Sequence, residues 1–415
     1  MFAYLLEFHR YMNIVGIAVI LLIAWLCSHN RTRINFKTIG AAFLLHFFIA
    51  FFVLKTTLGI TLIGYVADVV GKLYQAAEGG IQFLFGALAQ NDGPWGFVFA
   101  FKVLPIIIFF GAFMSLLFHW GIVQRAVGAV NYVLQPLLGT SGAETLCAIA
   151  NSFLGQTEAP LLIRHYIKDM TKSEIMLVMV SGMGTISGSI LVVYAAIGVP
   201  VVHLLSASVM AIPATIMIAK ILYPETEHPK TMRGAKVESE AIARNSLDAI
   251  SMGASDGLML ALNVGAMLIA FIALIGLINS ILGFFCVSLG LAGAPGSCFT
   301  LQALFGIVFE PFGWLLGLTG SEAHAAGELI GIKVAVNEMV AFTTMMGMAL
   351  SARAVMLMTY ALCGFSNFSC IGIQIGGIGA LAPEKRAVLS ELGFRAVLGG
   401  ALANLLSAMV AGLLL

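Results

Sequence analysis

The chain has 415 residues, of which 60% are apolar and 10% charged, with 21 Lys and Arg against 20 Asp and Glu for a net charge of +1. An ordinary soluble domain is roughly 45–50% apolar and about 25% charged, and a water-soluble fold of this length could not hide so much apolar surface. The near-neutral balance gives no support to nucleic-acid binding, and no H-E-x-x-H, Walker or dinucleotide fingerprint points to an enzyme.

A helix that crosses a bilayer needs about 20 apolar residues. On that measure 11–27, 38–54, 96–118, 173–197, 201–222, 257–284, 354–378 and 391–415 are predicted spans, about eight in all. Arg10 precedes the first run, Arg31, Arg33 and Lys37 follow it, and no small-residue cleavage site is present, so it reads as a retained helix. Because Lys and Arg accumulate in short cytoplasmic loops, the amino terminus is expected outside and Arg31 to Lys37 inside. Counting on through two half-membrane hairpins, Arg125, Arg164, Lys168, Lys172, Lys220, Lys230, Arg233, Lys236, Arg244, Lys385 and Arg386 also fall inside. Lys55, Lys72 and Arg353 fall outside, and both termini are expected outside an inner (plasma) membrane.

Segment 65–90 is apolar but carries Glu78 and, at i, i+4 spacing, Asp68 and Lys72. It is predicted to lie as a helix along the outer surface. Six Cys (Cys27, Cys147, Cys286, Cys298, Cys363 and Cys370) lack metal-ligand spacing and read as small packing residues. His165 reads as a surface histidine near a hairpin base, and the other His are scattered. The one long polar stretch, about 223–250, mixes Glu225, Glu227, Lys230, Arg233, Lys236, Glu238, Glu240 and Arg244 and divides the chain into halves.

Each half contains a short apolar segment with a carboxylate, followed by a span interrupted by small polar residues. The first runs through Asn151-Ser-Phe-Leu-Gly-Gln-Thr-Glu158-Ala-Pro160 to Ser181-Gly-Met-Gly-Thr185-Ile-Ser-Gly-Ser189. The second runs through Lys333-Val-Ala-Val-Asn337-Glu338 to Gly364-Phe-Ser-Asn367-Phe-Ser-Cys370. Carboxylate and break are 27 residues apart in the first (Glu158 to Thr185) and 29 in the second (Glu338 to Asn367). The carboxylate segments are too short and polar to cross, so each is predicted to be a re-entrant hairpin whose tip meets the broken span. Non-helical backbone survives at membrane depth only where protein or a cavity surrounds it. Paired interruptions in two halves mark a midplane substrate site in inverted-repeat transporters. An intramembrane carboxylate is itself a functional signal, and Glu158 and Glu338 are expected to approach one site from opposite sides.

These motifs, Gly155-Gln-Thr-Glu158-Ala-Pro160, Gly331-Ile-Lys333-Val-Ala-Val-Asn337-Glu338-Met-Val-Ala-Phe342 and Ala361-Leu-Cys-Gly-Phe365-Ser-Asn367, with Leu260-Ala-Leu-Asn-Val-Gly-Ala-Met267, resemble the concentrative nucleoside transporter family. The resemblance runs from about residue 95 to the end. It implies an all-α polytopic homotrimer of about eight transmembrane helices, two re-entrant hairpins in an inverted repeat, and interfacial helices. The expected division is scaffold helices and an outer interfacial helix at 1–118, a first transport repeat at 119–222, a cytoplasmic linker at 223–256, a scaffold helix at 257–296 and a second transport repeat at 297–415.

Carried over residue by residue, the resemblance makes Gln156, Thr157 and Glu158 nucleobase contacts, with Ile190 and Leu260 as apolar walls. A base edge mixes donors and acceptors, which an amide, a hydroxyl and a carboxylate can match. Glu338 and Asn367, beside Phe365, are the expected ribose contacts, since a carboxylate accepts strong charge-assisted bonds from hydroxyls. Cys370 stands where the family usually has a serine facing the ribose, and Met339 where it often has Phe. A coupling Na+ is expected at Asn151, Leu154, Thr185 and Ile186, because a small hard cation takes carbonyl, amide and hydroxyl oxygens. The function implied is a sodium-driven nucleoside importer that is not an enzyme. A proton carried on Glu158 or Glu338 is the alternative coupling ion, and an intramembrane acid–base enzyme and a passive channel are the other readings.

Overall fold

A computed structural model describes residues 4, 6–89, 98–232, 235, 243–289 and 300–415, and among these every regular element is a helix. Arg233, Lys236, Glu238, Glu240 and Cys298 lie outside the described residues. The chain opens with α1 (Arg10–Leu26), α2 (Phe36–Lys55) and α3 (Thr57–Phe85), then α4 (Leu104–His119) and α5 (Ile122–Leu138). The first hairpin rises as α6 (Gly142–Asn151) and returns through a 3-10 turn at Ala159–Ile163 and a short helix at Arg164–Ile167. A broken helix follows as α7 (Lys172–Gly184) and α8 (Gly188–Ala196), and α9 (Val201–Leu222) closes the repeat.

After α10 (Ser246–Ser288) and α11 (Leu301–Leu315), the same order recurs. The second hairpin is α12 (Ser321–Ala335) and α13 (Glu338–Met346), the second broken helix is α14 (Ala352–Leu362) and α15 (Phe368–Leu381), and α16 (Arg386–Leu414) ends the chain.

Eight helices are long and apolar enough to cross a bilayer among the described residues. They include the expected runs apart from 354–378, which is two short helices separated at 363–367. In its place stands Thr57–Ala89, where a surface-lying helix was expected only over 65–90; it starts directly after α2 and is long enough to span. Helix α10 begins at Ser246, inside the stretch expected as linker, because Asn245 caps it by accepting from the Asp248 amide. Cys286 is disulfide-bonded, against the expectation that it merely packs.

Burial separates two populations of helices. The most apolar stretches of Lys172–Ala196 and Pro383–Leu414 are 89% and 83% buried, whereas those of Ser246–Ser288 and Thr57–Ala89 are each 11% buried. The two repeats therefore form the centre and α3 and α10 the periphery, where side chains such as Leu262, Ile269 and Phe284 point outward. Such a surface suits lipid, in which exposed apolar groups cost nothing. Helices α4 and α10 touch at Gly111, Gly253 and Gly257, and a Cβ on any of these would run into the other helix's backbone.

Three of the lysines expected on one side, Lys172, Lys230 and Lys385, sit together at one end. Lys172 pairs with Glu391, Lys230 with Asp169, and Lys385 binds the Met170 carbonyl. The Lys230 ammonium lowers the Asp169 carboxyl below its ordinary range. At the other end Arg10 donates to the Leu415 carbonyl and Arg353 to that of Gly412, so the first and last helices meet at one face.

Two capping boxes fix the charged end of the first repeat: Ser141 with Glu144 starts α6, and Thr171 with Glu174 starts α7. Lys220 of α9 ties both together, its Nζ 2.6 Å from Glu144 and 3.0 Å from the Ser173 hydroxyl. Both charged groups are buried, and breaking such a pair from one side costs about 3–5 kcal/mol while replacing both partners by apolar groups is often neutral. Lys220→Met is therefore expected to lower the thermal midpoint of the detergent-solubilised protein markedly, and a second change, Glu144→Leu, to restore most of the loss. Heating followed by size-exclusion chromatography reads both.

Candidate functional site

The helix breaks set the geometry. Ser187, Asn337 and Asn367 are N-caps whose side-chain oxygens accept from the amides of Ile190, Val340 and Cys370, starting α8, α13 and α15. All three caps line one cavity of about 220 Å³, so three positive helix ends are directed at it. Glu338 is the first residue of α13 and sits at one of those ends.

The Glu338 carboxylate is held on both oxygens. Oε1 accepts from the Tyr194 hydroxyl at 2.9 Å and Oε2 from Asn367 Nδ2 at 3.1 Å. Tyr194 in turn packs against Phe342, with ring centroids 4.5 Å apart. Lys333, close in sequence, does not pair with Glu338; its Nζ goes to the Ala361 carbonyl and Asn404 Oδ1. The carboxylate is thus aimed and left with lone pairs on the cavity side.

The first hairpin tip forms the facing wall. Gln156, Thr157 and Glu158 all line the same cavity, and Glu158 Oε2 accepts from the Gly155 amide at 3.1 Å. Gln156 is oriented twice: its Nε2 reaches Cys370 Sγ at 3.2 Å and its Oε1 accepts from Gln374 at 3.0 Å. Ile190, Leu260 and Phe365 complete the apolar lining. All nine residues expected to touch substrate are therefore brought to one cavity, with the two carboxylates on opposing hairpins. Cys370 bonds across to the first hairpin, and so it stands at the seam between the two walls.

The cavity shares Thr157, Glu158, Ser187, Leu260 and Asn263 with a larger one of about 530 Å³, lined also by His119 and Asp256. Tyr194, Asn263 and Asp256 escaped the sequence reading. Tyr194 interrupts the apolar run of α8, whereas Asp256 and Asn263 share α10 with Asp248 and Asn279; a polar side chain within an apolar stretch was the available signal. His165 is exposed, as expected of a surface histidine.

The residues expected to hold a cation lie at the opposite, negative helix ends. Asn151 is the last residue of α6, and Thr185 caps the end of α7. Asn151 Nδ2 donates to the Ser181 hydroxyl and Thr185 Oγ1 to the Ser181 carbonyl, which brings both side chains to one turn. Asn151 Oδ1 is buried and has no hydrogen-bond partner. An orphaned buried carbonyl oxygen is costly, and with a neighbouring hydroxyl at two helix C-termini it suits a small hard cation. Leu154 is buried next to this turn, and Ile186 sits in the break itself. The Thr185 carbonyl is already used, accepting from the Phe365 amide at 3.3 Å.

Three family signatures cover most of the chain: "Na+ dependent nucleoside transporter N-terminus" at 15–88, "Nucleoside recognition" at 100–201 and "Na+ dependent nucleoside transporter C-terminus" at 203–412. The chain is 39% identical over 417 residues to the nucleoside permease NupC of Helicobacter pylori, covering 98% of both. The chain belongs to the concentrative nucleoside transporter family. It is also 35% identical to sodium/nucleoside cotransporter 1 of Rattus norvegicus, over 97% of this chain and 63% of that one. The transporter CNTnw in an inward-facing substrate-bound state has the same fold, with a TM-score of 0.90, 38% identity and 97% of each chain covered. This member of the family is therefore a membrane-embedded nucleoside transporter and not an enzyme.

Within the site, the bond from Gln156 to the Cys370 sulfur is a weak one, since sulfur is a poor acceptor. Cys370→Ser is expected to keep nucleoside uptake and lower KM modestly. Cys370→Ala removes the bond, and at about 0.5–1.5 kcal/mol for a neutral hydrogen bond it is expected to raise KM by about two- to tenfold. Initial-rate uptake into proteoliposomes measures both.

Proposed function

We propose that the protein imports nucleosides through the plasma membrane by sodium symport, binding substrate between the two hairpin tips. The observation that carries this reading is the single cavity with Glu338, fixed by Tyr194 and Asn367, on one wall and Gln156, Thr157 and Glu158 on the other. Ribose hydroxyls donate to Glu338, and loss of a hydroxyl leaves that buried acceptor unpaired, which selects nucleosides over free bases. The base edge lies against Gln156, Thr157 and Glu158, flanked by Ile190 and Leu260.

Sodium is held by Asn151 and Thr185 side-chain oxygens with carbonyls from Leu154 and Ile186. It supplies positive charge to the C-terminal ends of α6 and α7. The orphaned Asn151 Oδ1 supports a metal cation at this turn, because a buried amide oxygen can ligate a hard cation but has no useful basicity toward a proton. Each ion moved through the membrane potential contributes about 2.3 kcal/mol per 100 mV.

Residues 119–222 and 297–415 form the moving transport body, the scaffold being 1–118 and α10 with the residues after it to 296, and the linker is shortened to 223–245 because α10 begins at Ser246. The outward apolar flank of α10 suits lipid and a trimer of copies. The termini, which share one face, lie outside, and the Lys172, Lys230 and Lys385 cluster lies inside in keeping with the charge rule.

A labelled nucleoside offered to proteoliposomes at fixed pH is expected to accumulate against its gradient with external sodium and only equilibrate with choline. Accumulation driven by a pH gradient without sodium would contradict the sodium reading. Asn151→Leu is expected to raise the sodium concentration for half-maximal uptake by at least about tenfold. Glu338→Gln loses charge-assisted bonds of about 1.5–3 kcal/mol and is expected to cut kcat/KM by about ten- to a hundredfold with assembly intact.

A further inference from the structure

The two repeats treat the same electrostatic problem differently. In each, the last turn of the first hairpin arm meets the last turn of the first half of the broken helix, so two helix C-termini, both negative, converge inside the membrane. In the first repeat the side chain that bridges them is Asn151, seven residues before Glu158, reaching Ser181 on α7. In the second it is Lys333, five residues before Glu338, reaching the Ala361 carbonyl on α14.

The surroundings of the two side chains are complementary. Asn151 leaves a buried oxygen with no donor. Lys333, only 2% exposed, brings a donor group with no carboxylate bonded to it. Its Nζ is 2.8 Å from the Ala361 carbonyl and 2.7 Å from Asn404 Oδ1. Asn404 is locked in place because its Nδ2 donates to Gly184 and Cys363, the carbonyls at the two breaks. A backbone carbonyl and a side-chain amide oxygen are the ligands a hard cation takes at an unwound helix. The last helix of each repeat also supplies a side chain at the break: a Cβ on Gly184 would meet Thr215 of α9, and one on Gly364 would meet Asn404 of α16.

We propose that the Lys333 ammonium is a tethered cation occupying, in the second repeat, the place that a coupling sodium takes in the first, so that one sodium is required where the symmetry of the fold provides for two. The covalent tether keeps the second site filled throughout the cycle. It cannot dissociate, so it contributes no coupling but neutralises the ends of α12 and α14 beside Glu338. A salt-independent second repeat and a sodium-dependent first repeat follow. This inference rests on the sodium reading above.

The test compares parent, Lys333→Ala and Lys333→Arg for the sodium dependence of uptake and of the thermal midpoint in sodium or choline. In the parent, a Hill coefficient of about one is expected, and in Lys333→Ala, whose emptied site exposes the Ala361 and Asn404 oxygens, it is expected to rise toward about two. Lys333→Ala is also expected to be less stable in choline and to regain stability with sodium over a wider range than the parent, while Lys333→Arg keeps the parent's sodium response. The midpoint is read on binding-competent protein and does not need transport to survive. A variant with the parent's Hill coefficient and a stability loss that sodium does not relieve would overturn the inference, as would failure to fold at any sodium concentration. If the parent itself shows no response to sodium, it is the symport reading that fails; a sodium-dependent parent with an unresponsive variant sinks the tethered cation alone.

Discussion

Peptide groups released by a broken helix have no water to bind in the middle of a bilayer, and the centre of this protein is organised by that constraint. Two helices break, at 185–187 and 363–367, and each break frees amides on one side and carbonyls on the other. The amide ends of the two breaks are capped by Ser187 and Asn367, and with Asn337, which caps α13 at the second hairpin tip, they turn toward the cavity. The carbonyl ends turn away from it, toward Asn404, Lys333 and the Asn151–Thr185 turn. One sorting of backbone dipoles thus creates a positive-ended pocket suited to an electron-rich polar solute and, behind it, negative-ended sites suited to cations. Asn404 joins the two halves, since a single amide spans the last carbonyl of α7 and the break after α14.

Much of this was legible in the sequence because membrane burial makes polar residues conspicuous. Glu158 and Glu338 stood out as charges in apolar surroundings, and the clusters around Thr185 and Asn367 as places where a helix would not persist. Their near-equal spacing gave the repeat, and the family motifs gave the division into base-side and sugar-side residues. The cavity gathers all nine of those residues. Single polar residues carried less information. Tyr194 and Asn404 lie on apolar helices with no local motif, and their partners, Glu338 and Gly184, are 144 and 220 positions away.

Length and hydropathy were weakest at the periphery. A 29-residue helix at Thr57–Phe85 satisfies both a surface-lying and a crossing arrangement by composition, because charged residues at Asp68, Lys72 and Glu78 make one flank polar while the total stays apolar. The start of α10 was misplaced for a similar reason: 246–256 contains Asp248 and Asp256 and reads as linker by charge, yet an Asn245 cap and continuous backbone bonding make it helix. Charge content reports solvent contact, and for Asp256 the contact is with the 530 Å³ cavity that it lines.

The account stands on the two hairpin tips sharing one ligand. The most direct measurement is a density map of the protein with a nucleoside and sodium bound in a lipid nanodisc. Ribose hydroxyls within hydrogen-bond distance of Glu338, with the base edge facing Gln156 to Glu158, is the predicted result. A nucleoside lodged elsewhere, or contacting only one hairpin while the other stays withdrawn, would contradict it.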